Sequence, residues 1–355
     1  MTGWWSRVAA PGPIPGVLLL MGLPFVGGCV DMFLEPEPMP PDDPVMNFQV
    51  LWNEFDRHYS FFDQKGVDWD EAYDRYRPRV DAESSPRELF DAVSEMLAEL
   101  RDGHVDLITP FASHSYDGWR EGRAENFDLR RVFQGYFAGT PRYASRGPFV
   151  YGRLQDGTGY VHISSFGGGG FGPGIDEALA ALDGVTGLVV DIRSNGGGSD
   201  LNLDEVVGRF ADRKRLYRYV RYRDGPEHDD FTDFIERHVE PRGSERYRGP
   251  VAVLTNRMNF STAEDFVMAM SVLPDVVVVG DTTGGGMGNP ISRELPNGWL
   301  YRLSRWRVYD ADRNLIVDGE GIAPDVPLQL SPEDEADGRD TILEAALELL
   351  GSGGL

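Results

Sequence analysis

Continuous apolar runs, each followed by small or polar residues, recur along the second half of the chain. They are Gly187 to Ile192, Val251 to Thr255 and Val276 to Val279. Apolar runs without alternation are typical of strands that are buried on both faces of a parallel sheet. Helical patterns follow two of them, one from about Leu201 and one that begins at Ser261. This alternation of strands and helices is compatible with an α/β fold.

The first part of the chain has a helical pattern instead. Its aromatic residues recur at helical spacing, which predicts a core-facing helix rather than a ligand site: Phe48, Trp52, Phe55 and Tyr59. A second apolar periodicity, Leu89 to Leu100, predicts another helix that ends at Asp102-Gly103. Residues 47–112 are therefore predicted to form a small helical domain. Residues 341–350 have the pattern of a closing amphipathic helix.

Ser261 lies where the predicted strand Val251 to Thr255 passes into a helix. A serine at such a turn displays its hydroxyl beside free backbone N–H groups, but it is a poor nucleophile until a base removes its proton. The alternative is that Ser261 only caps the helix, with Glu264 completing a capping box. Local pattern alone favours the cap.

Two glycine-rich segments follow the other predicted strands. One is Asn195-Gly196-Gly197-Gly198, and the other is the stretch from Thr282 to Gly286. Glycines at the carboxyl edge of a parallel sheet allow the backbone to approach a ligand and to direct N–H groups at an oxyanion. A plain tight turn explains each segment equally well. The signature of a phosphate-binding loop, with its lysine, is missing.

His104 directly follows the predicted helix that ends at Leu100. Taken alone, a histidine at this place is a half-buried strand residue without a role. The other histidines, apart from His162 on a predicted strand, lie in less informative settings. His104 becomes a candidate only in combination with Ser261.

Taken in order, these segments resemble the tail-specific (C-terminal processing) and tricorn-core family of serine peptidases. The matching segments, within roughly Phe48 to Leu330, are GYVHISSF, DIRSNGGGS, the loop around Ser261, VVGDTTGGG and GEGIAPDVPL. Each motif is weak, but five in the correct order are fairly specific. The resemblance implies a crotonase-like ββα spiral catalytic domain, preceded by a small helical N-terminal domain, and a serine peptidase that hydrolyses peptide bonds.

The family has two catalytic solutions, and this sequence fits the histidine-dependent, tricorn-like one. The Ser–Lys branch has a lysine where this chain has Gly285, and the only lysines are Lys65 and Lys214. In the tricorn-like branch a histidine is the base, and His104 matches its position. A serine precedes that histidine in the family, whereas Gly103 stands here.

The third member of the family relay is a glutamate, and here Asp318 occupies its position. Asp318 is therefore the predicted orienting acid, with Glu320 as a rival for the role and a simple turn residue as the alternative. The resemblance also implies an oxyanion hole made by the N–H of Thr262 and by Gly198, with Gly197 next. Activity is expected to rise with pH through a group that titrates near neutrality. Asp191 and Arg193 are predicted to be a structural pair.

The amino-acid composition disfavours several classes of function. The chain has 355 residues with 58 acidic and 34 basic side chains, a formal net charge of −24, which disfavours nucleic-acid binding. The histidines are dispersed and there is a single cysteine, so we predict no metal site and no cofactor. Two other functions stay open. One is a peptidase-fold protein that binds peptides or small hydrophobic ligands without cleaving them. The other, disfavoured because it does not need Ser261 with His104, is an acyl-CoA enzyme.

The single cysteine lies at the end of an apolar segment near the N-terminus. Small residues directly precede Cys29, as in a bacterial lipoprotein signal, and the apolar stretch is too short to span a bilayer stably. The alternative is an ordinary signal peptide or a short anchor with an incidental cysteine. We therefore expect lipidation of Cys29 and a lipid-anchored protein of the bacterial cell envelope, facing the periplasm or the exterior.

The predicted organisation of the chain follows from these segments. No PDZ module fits in the connector, and the polar stretch 225–248 is either a lid or solvated surface. The predicted divisions are a lipoprotein signal (1–29), an acidic Pro-rich tether (30–46), the helical domain with the histidine loop (47–112), a connector (113–147) and the catalytic domain (148–355).

Overall fold

The computed structural model describes residues 43–121 and 126–352. The predicted signal segment with Cys29, and most of the predicted tether, lie outside these residues. The helices of the described residues are α1 (Pro44–His58), α2 (Phe62–Lys65), α3 (Trp69–Tyr76), α4 (Pro86–Ala98), α5 (Leu129–Gly135), α6 (Phe171–Ala181), α7 (Asp200–Val207), α8 (Thr262–Ser271), α9 (Pro332–Ala336) and α10 (Thr341–Gly351).

The strands of the same residues belong to a large mixed sheet and two smaller antiparallel sheets. They are β1 (Asp106–Ile108), β2 (Ser113–Ser115), β3 (Arg142–Tyr143), β4 (Phe149–Arg153), β5 (Gly159–Ile163), β6 (Leu188–Asp191), β7 (Arg215–Tyr222), β8 (Ile235–Val239), β9 (Val251–Thr255), β10 (Val276–Gly280), β11 (Ile291–Glu294), β12 (Leu300–Leu303), β13 (Trp306–Asp310), β14 (Leu315–Ile316) and β15 (Val326–Pro327).

The large sheet has the order β15-β10-β9-β6-β5-β4-β3 within the described part of the chain. Strands β5, β6, β9, β10 and β15 are parallel, and β4 and β3 are antiparallel at one end. One face packs on α6, α7 and α8, and the other on α10. Because both faces are covered, the central strands carry the unbroken apolar runs that predicted them. The crotonase-like α/β fold is therefore confirmed.

The N-terminal helices share a core with a distant part of the chain. Helices α1, α3 and α4 pack on Leu295, Trp299, Tyr301 and Leu303, and β1 pairs with β12. Helix α1 begins at Pro44, before the predicted boundary at Asn47, because the Asp43 carboxylate accepts a hydrogen bond from the N–H of Met46 at 2.7 Å. These helices thereby lie against the strands that follow the stretch from Thr282 to Gly286, which is called the TTGGG segment below.

The polar stretch 225–248 contains a strand. Its residues Ile235–Val239 form β8, which pairs with β7 in the sheet β14-β13-β7-β8. No helix among residues 43–121 and 126–352 is both long and apolar enough to cross a membrane.

Candidate active site

Ser261 stands at a sharp turn between β9 and α8. Its backbone has φ 57° and ψ −128°, a conformation that residues with a side chain rarely adopt and that concentrates at functional sites. The turn packs closely on the glycine loop after β6. A Cβ on Gly197 would lie 2.8 Å from the Ser261 Cβ and 3.0 Å from the Thr262 nitrogen, so the contact requires glycine.

Asparagine side chains fix the loop that precedes this serine. The Asn256 N–H donates to Asn259 Oδ1 at 2.8 Å, and the Asn259 amide donates to the Ile192 carbonyl at the end of β6. The Phe260 N–H donates to the Asn195 carbonyl at 3.2 Å. The serine turn and the glycine loop are therefore positioned as one unit.

Glu264 ties this unit to the TTGGG segment. Its buried carboxylate accepts hydrogen bonds from the N–H groups of Ser261 (3.1 Å), Gly285 (2.7 Å) and Gly286 (2.6 Å), and from the Thr283 hydroxyl (2.6 Å). Burial raises the pKa of Glu264, and these bonds oppose the rise. Ser261 does stand at the helix N-cap, as the alternative interpretation held. That position is compatible with a nucleophile.

Two backbone N–H groups beside Ser261 have no acceptor within the described residues. They belong to Thr262 and Gly198. The Gly197 N–H, by contrast, donates to Asn195 Oδ1 at 2.9 Å. Thr262 and Gly198 also contact each other, since the threonine hydroxyl donates to the Gly198 carbonyl at 3.0 Å. Of the predicted oxyanion donors, Thr262 and Gly198 are thus free to bind a substrate oxygen, whereas Gly197 is engaged.

His104 is buried beside the same turn. Its ring lies 4.7 Å from the Phe260 ring, and Phe260 stacks on Trp119 at 4.5 Å. The histidine is 3% exposed, and its Nδ1 has no hydrogen-bond partner among the described residues. Burial lowers the pKa of His104 to about 4, opposed by the Asp102 charge and assisted by Arg302. The imidazole is therefore neutral at pH 7.

The aromatic stack explains why glycine precedes His104. A Cβ on Gly103 would lie 2.8 Å from Phe260 Cζ and 2.9 Å from Trp119 Nε1. A serine there, as in the resembled family, requires these rings to move. Trp119 occupies that space instead.

One cavity of about 780 Å³ collects most of the predicted site. This volume is within the usual range of ligand sites. Its walls include His104, Ser261, Thr262 and Gly198, and also Trp119, Arg120, Met287 and Trp306. The predicted nucleophile, the predicted base and both unengaged N–H groups therefore line one cavity.

Asp318 is not part of the wall of this cavity. Its carboxylate forms an ion pair with Lys65, with Nζ and Oδ2 at 2.7 Å, and its other oxygen has no partner in the described part of the chain. Burial, with the Asp102 charge adding to it, raises the pKa of Asp318 to about 8, and Lys65 opposes the rise. The rival Glu320 is exposed.

The position of the lysine in the Ser–Lys branch is closed here. Gly285 has φ 87°, and a Cβ on it would lie 2.5 Å from the Gly319 carbonyl carbon. Lys214 does not take the place of that lysine either, because it forms an ion pair with Glu240 at 3.0 Å on the surface. The arrangement of this site therefore matches the serine–histidine branch rather than the serine–lysine branch.

Arg193 and Asp191 form a fully buried ion pair at 2.6 Å, and Arg193 also binds Asp340 at 2.9 Å. Asp340 caps α10. The pair therefore connects the end of β6 to the C-terminal helix, which is the structural role that was predicted.

Comparison with known proteins agrees with this geometry. The model of peptidase family S41 matches residues 157–328, and the model of the tricorn protease C1 domain matches residues 40–98. A solved structure of a candidate peptidase from Parabacteroides merdae is 40% identical, covers 87% of this chain and 97% of its own, and has a TM-score of 0.79. The chain belongs to peptidase family S41. This is a family of serine-type peptidases.

Curated relatives include both branches. Tricorn protease homolog 1 of Streptomyces coelicolor is 24% identical over 86% of this chain and 35% of its own length. The carboxy-terminal processing protease CtpA of Bacillus subtilis is 24% identical over 51% of this chain and 37% of its own. The S41 chain thus spans about a third of the length of these relatives.

The sequence did not predict three residues that lie near the site: Lys65, Asp102 and Trp119. Asp102 was interpreted only as a helix stop, although its place two residues before His104 was a usable signal. Trp119 lies in a connector without periodicity. Nothing local to Lys65 pointed to Asp318, which is distant in sequence.

Proposed function

We propose that this S41 protein is a serine peptidase that hydrolyses peptide bonds through Ser261, with His104 as general base. The observation that carries the proposal is the shared cavity. A strained serine, a neutral buried histidine and two unengaged N–H groups line it together. Peptide or protein substrates follow from the family.

The first half of the reaction uses these groups in turn. Ser261 Oγ attacks the carbonyl carbon of the peptide bond while His104 accepts the hydroxyl proton. Because Nδ1 is the buried nitrogen, Nε2 is the one assigned to this transfer. The negative charge on the former carbonyl oxygen is stabilised by the N–H groups of Thr262 and Gly198.

Collapse of this intermediate breaks the C–N bond. His104 returns the proton to the leaving amine, and an acyl ester remains on Ser261. Water then attacks the ester while His104 takes its proton. As the ester C–O bond breaks, His104 returns this proton to Ser261 Oγ, and the acid product leaves. Asp318 is proposed to complete the relay behind the imidazole, as its match to the family glutamate implies.

Covalent labelling tests the nucleophile directly. A fluorophosphonate is expected to modify the protein at Ser261, because the activated oxygen bonds to phosphorus as fluoride leaves, and the P=O oxygen fits the same N–H groups. Peptide mapping by mass spectrometry locates the adduct. Lack of labelling, together with binding of peptides without cleavage, would support the alternative of a non-catalytic binding protein.

We further propose that the protein is anchored to the bacterial cell envelope through a lipid on Cys29. The support is sequence alone: small residues precede the single cysteine, and a proline-rich acidic segment follows it. A lipid at Cys29 would place the peptidase beside the membrane, with the acidic Pro-rich segment as the tether between them.

Replacement of Cys29 is expected to release the protein from the membrane. In a bacterial host that processes lipoproteins, Cys29→Ser should move the protein to the soluble fraction or stall its processing, because no thiol remains for lipid attachment. Fractionation and mass spectrometry of the mature N-terminus measure this. A wild-type protein that is soluble and begins at another residue contradicts the proposal.

A further inference from the structure

Lys65 is the unexpected neighbour of the site. Its ammonium donates to Asp318 Oδ2 at 2.7 Å, to the Asp318 carbonyl at 3.1 Å and to the Arg101 carbonyl at 3.2 Å. All three of its donors are therefore used. The side chains of Lys65 and Asp318 are only 8% and 3% exposed. A buried pair of this kind is costly to desolvate, which makes a purely stabilising role a weak explanation.

Asp102 is the second carboxylate of this cluster. Its Oδ1 accepts the backbone N–H of His104 at 2.7 Å, so the carboxylate lies against the histidine backbone. The residue is 1% exposed. Its charge acts on His104, on Asp318 and on the hydroxyl of Tyr59. Asp102 is thus the charge that these three groups share.

Several buried polar atoms of the cluster lack a partner among residues 43–121 and 126–352. They include His104 Nδ1 and Asp318 Oδ1. Buried polar groups without a hydrogen bond are rare in proteins and need an explanation. A site in which the imidazole N–H forms its hydrogen bond during the reaction supplies one.

We propose that Lys65 is a positioning residue of the active site: its hydrogen bonds to Asp318 and to the Arg101 carbonyl hold the carboxyl groups of Asp318 and Asp102 together near His104, and Asp102 is the one that orients the imidazole. This inference rests on the proposed peptidase function. Asp318 then acts on His104 through Asp102, and neither Lys65 nor Asp318 needs to contact substrate. Neither of them lines the cavity.

The ionisable groups around Asp318 make this arrangement detectable in a pH titration. Asp318 faces Lys65 on α2, Asp102 after α4, Tyr59 after α1 and Glu264 on α8. Because its pKa is raised to about 8, its ionisation adds a negative charge behind His104 in the alkaline range. Removing the Lys65 cation raises that pKa further, since the cation favours the carboxylate.

The test compares Lys65→Met with Lys214→Met, which removes the only other lysine from an exposed ion pair. Lys65→Met is expected to lower kcat about 100-fold with little change in KM, the size of effect that a small misplacement of catalytic groups produces. Lys214→Met should leave both unchanged. The double variant Lys65→Met/Asp318→Asn should be no worse than Lys65→Met, because the two residues act as a unit.

A second measurement does not need turnover. In a Ser261→Ala background, NMR of the His104 ring should show an alkaline step from the ionisation of Asp318. Lys65→Met should move the step to higher pH, Asp318→Asn should remove it, and Glu320→Gln should not change it. Asp102→Asn should lower the pKa of His104 further, because the charge that raises it is lost.

Two results would overturn the inference. One is a Lys65→Met variant that melts at lower temperature but keeps its kcat and its alkaline step. The other, which applies even if Lys65→Met does not fold, is a step that persists in Asp318→Asn. If the wild type neither cleaves peptides nor reacts with a fluorophosphonate, the proposed function fails, and the NMR measurement alone decides the placement of the carboxylates.

Discussion

Ser261→Ala is expected to abolish peptide hydrolysis and fluorophosphonate labelling while the protein stays folded. The reaction needs an oxygen that forms an acyl ester, and the hydroxyl of the neighbouring Thr262 is engaged with the Gly198 carbonyl. Loss of a serine nucleophile costs on the order of 10⁶-fold in kcat in a well-studied serine peptidase. Hydrolysis of a fluorogenic peptide and gel-based labelling measure the two losses.

Folding is expected to survive this substitution because the hydrogen bonds of the turn come from backbone groups. The Ser261 N–H still donates to Glu264, and the Ser261 carbonyl still accepts from the Glu264 N–H. The positive φ at this position costs alanine about as much as serine. Circular dichroism and the melting temperature provide the check. A folded alanine variant that cleaves like the parent would contradict the assignment of Ser261 as the nucleophile.

His104→Ala is expected to lower kcat by about 10³-fold or more, because the imidazole is the proposed acceptor of the Ser261 proton. KM should change little. The matched control is His114→Ala, a half-buried histidine on β2 outside the cavity wall. Steady-state kinetics on one peptide substrate measure both variants. Equal activity of His104→Ala and the control would transfer the base to another group.

The role of His104 as base also predicts the direction in which activity changes with pH. A protonated imidazole cannot accept the serine proton, so activity is lost as pH falls through the pKa of His104. That pKa is lowered to about 4 by burial, so the acid limb should lie near pH 4. This limb lies below the near-neutral titration that the sequence alone predicts, because the pattern could not show how deeply the ring is buried. A profile governed by a lysine-like group at high pH would contradict the histidine mechanism.

The strands of the large sheet were predictable because their burial is uniform. Strand β9 has the predicted bounds, Val251–Thr255, and every one of its residues is buried. A strand covered on both faces leaves an unbroken apolar run, which sequence alone displays. Strand β8 lies between polar turns with only its last residue buried, so it was interpreted as an insertion.

The candidate site was predictable only where a residue carries its own motif. Ser261 and the glycine loop stand at strand ends, and the fold brings such ends together. Lys65 gave no local signal, since its partner Asp318 lies 253 positions away in sequence. Asp102 was hidden by a competing interpretation, because Asp-Gly after a helix is equally common as a stop signal.

The segment around Gly285 has an evolutionary consequence. In the Ser–Lys branch this position contributes the base, whereas here its N–H binds Glu264 and the Gly319 backbone fills the space of a side chain. A lineage could therefore not exchange histidine for lysine by one substitution at this site. The loop bearing Gly319 would have to withdraw first, and with it the Asp318 that precedes it. A change from one branch to the other therefore requires coordinated changes in both loops.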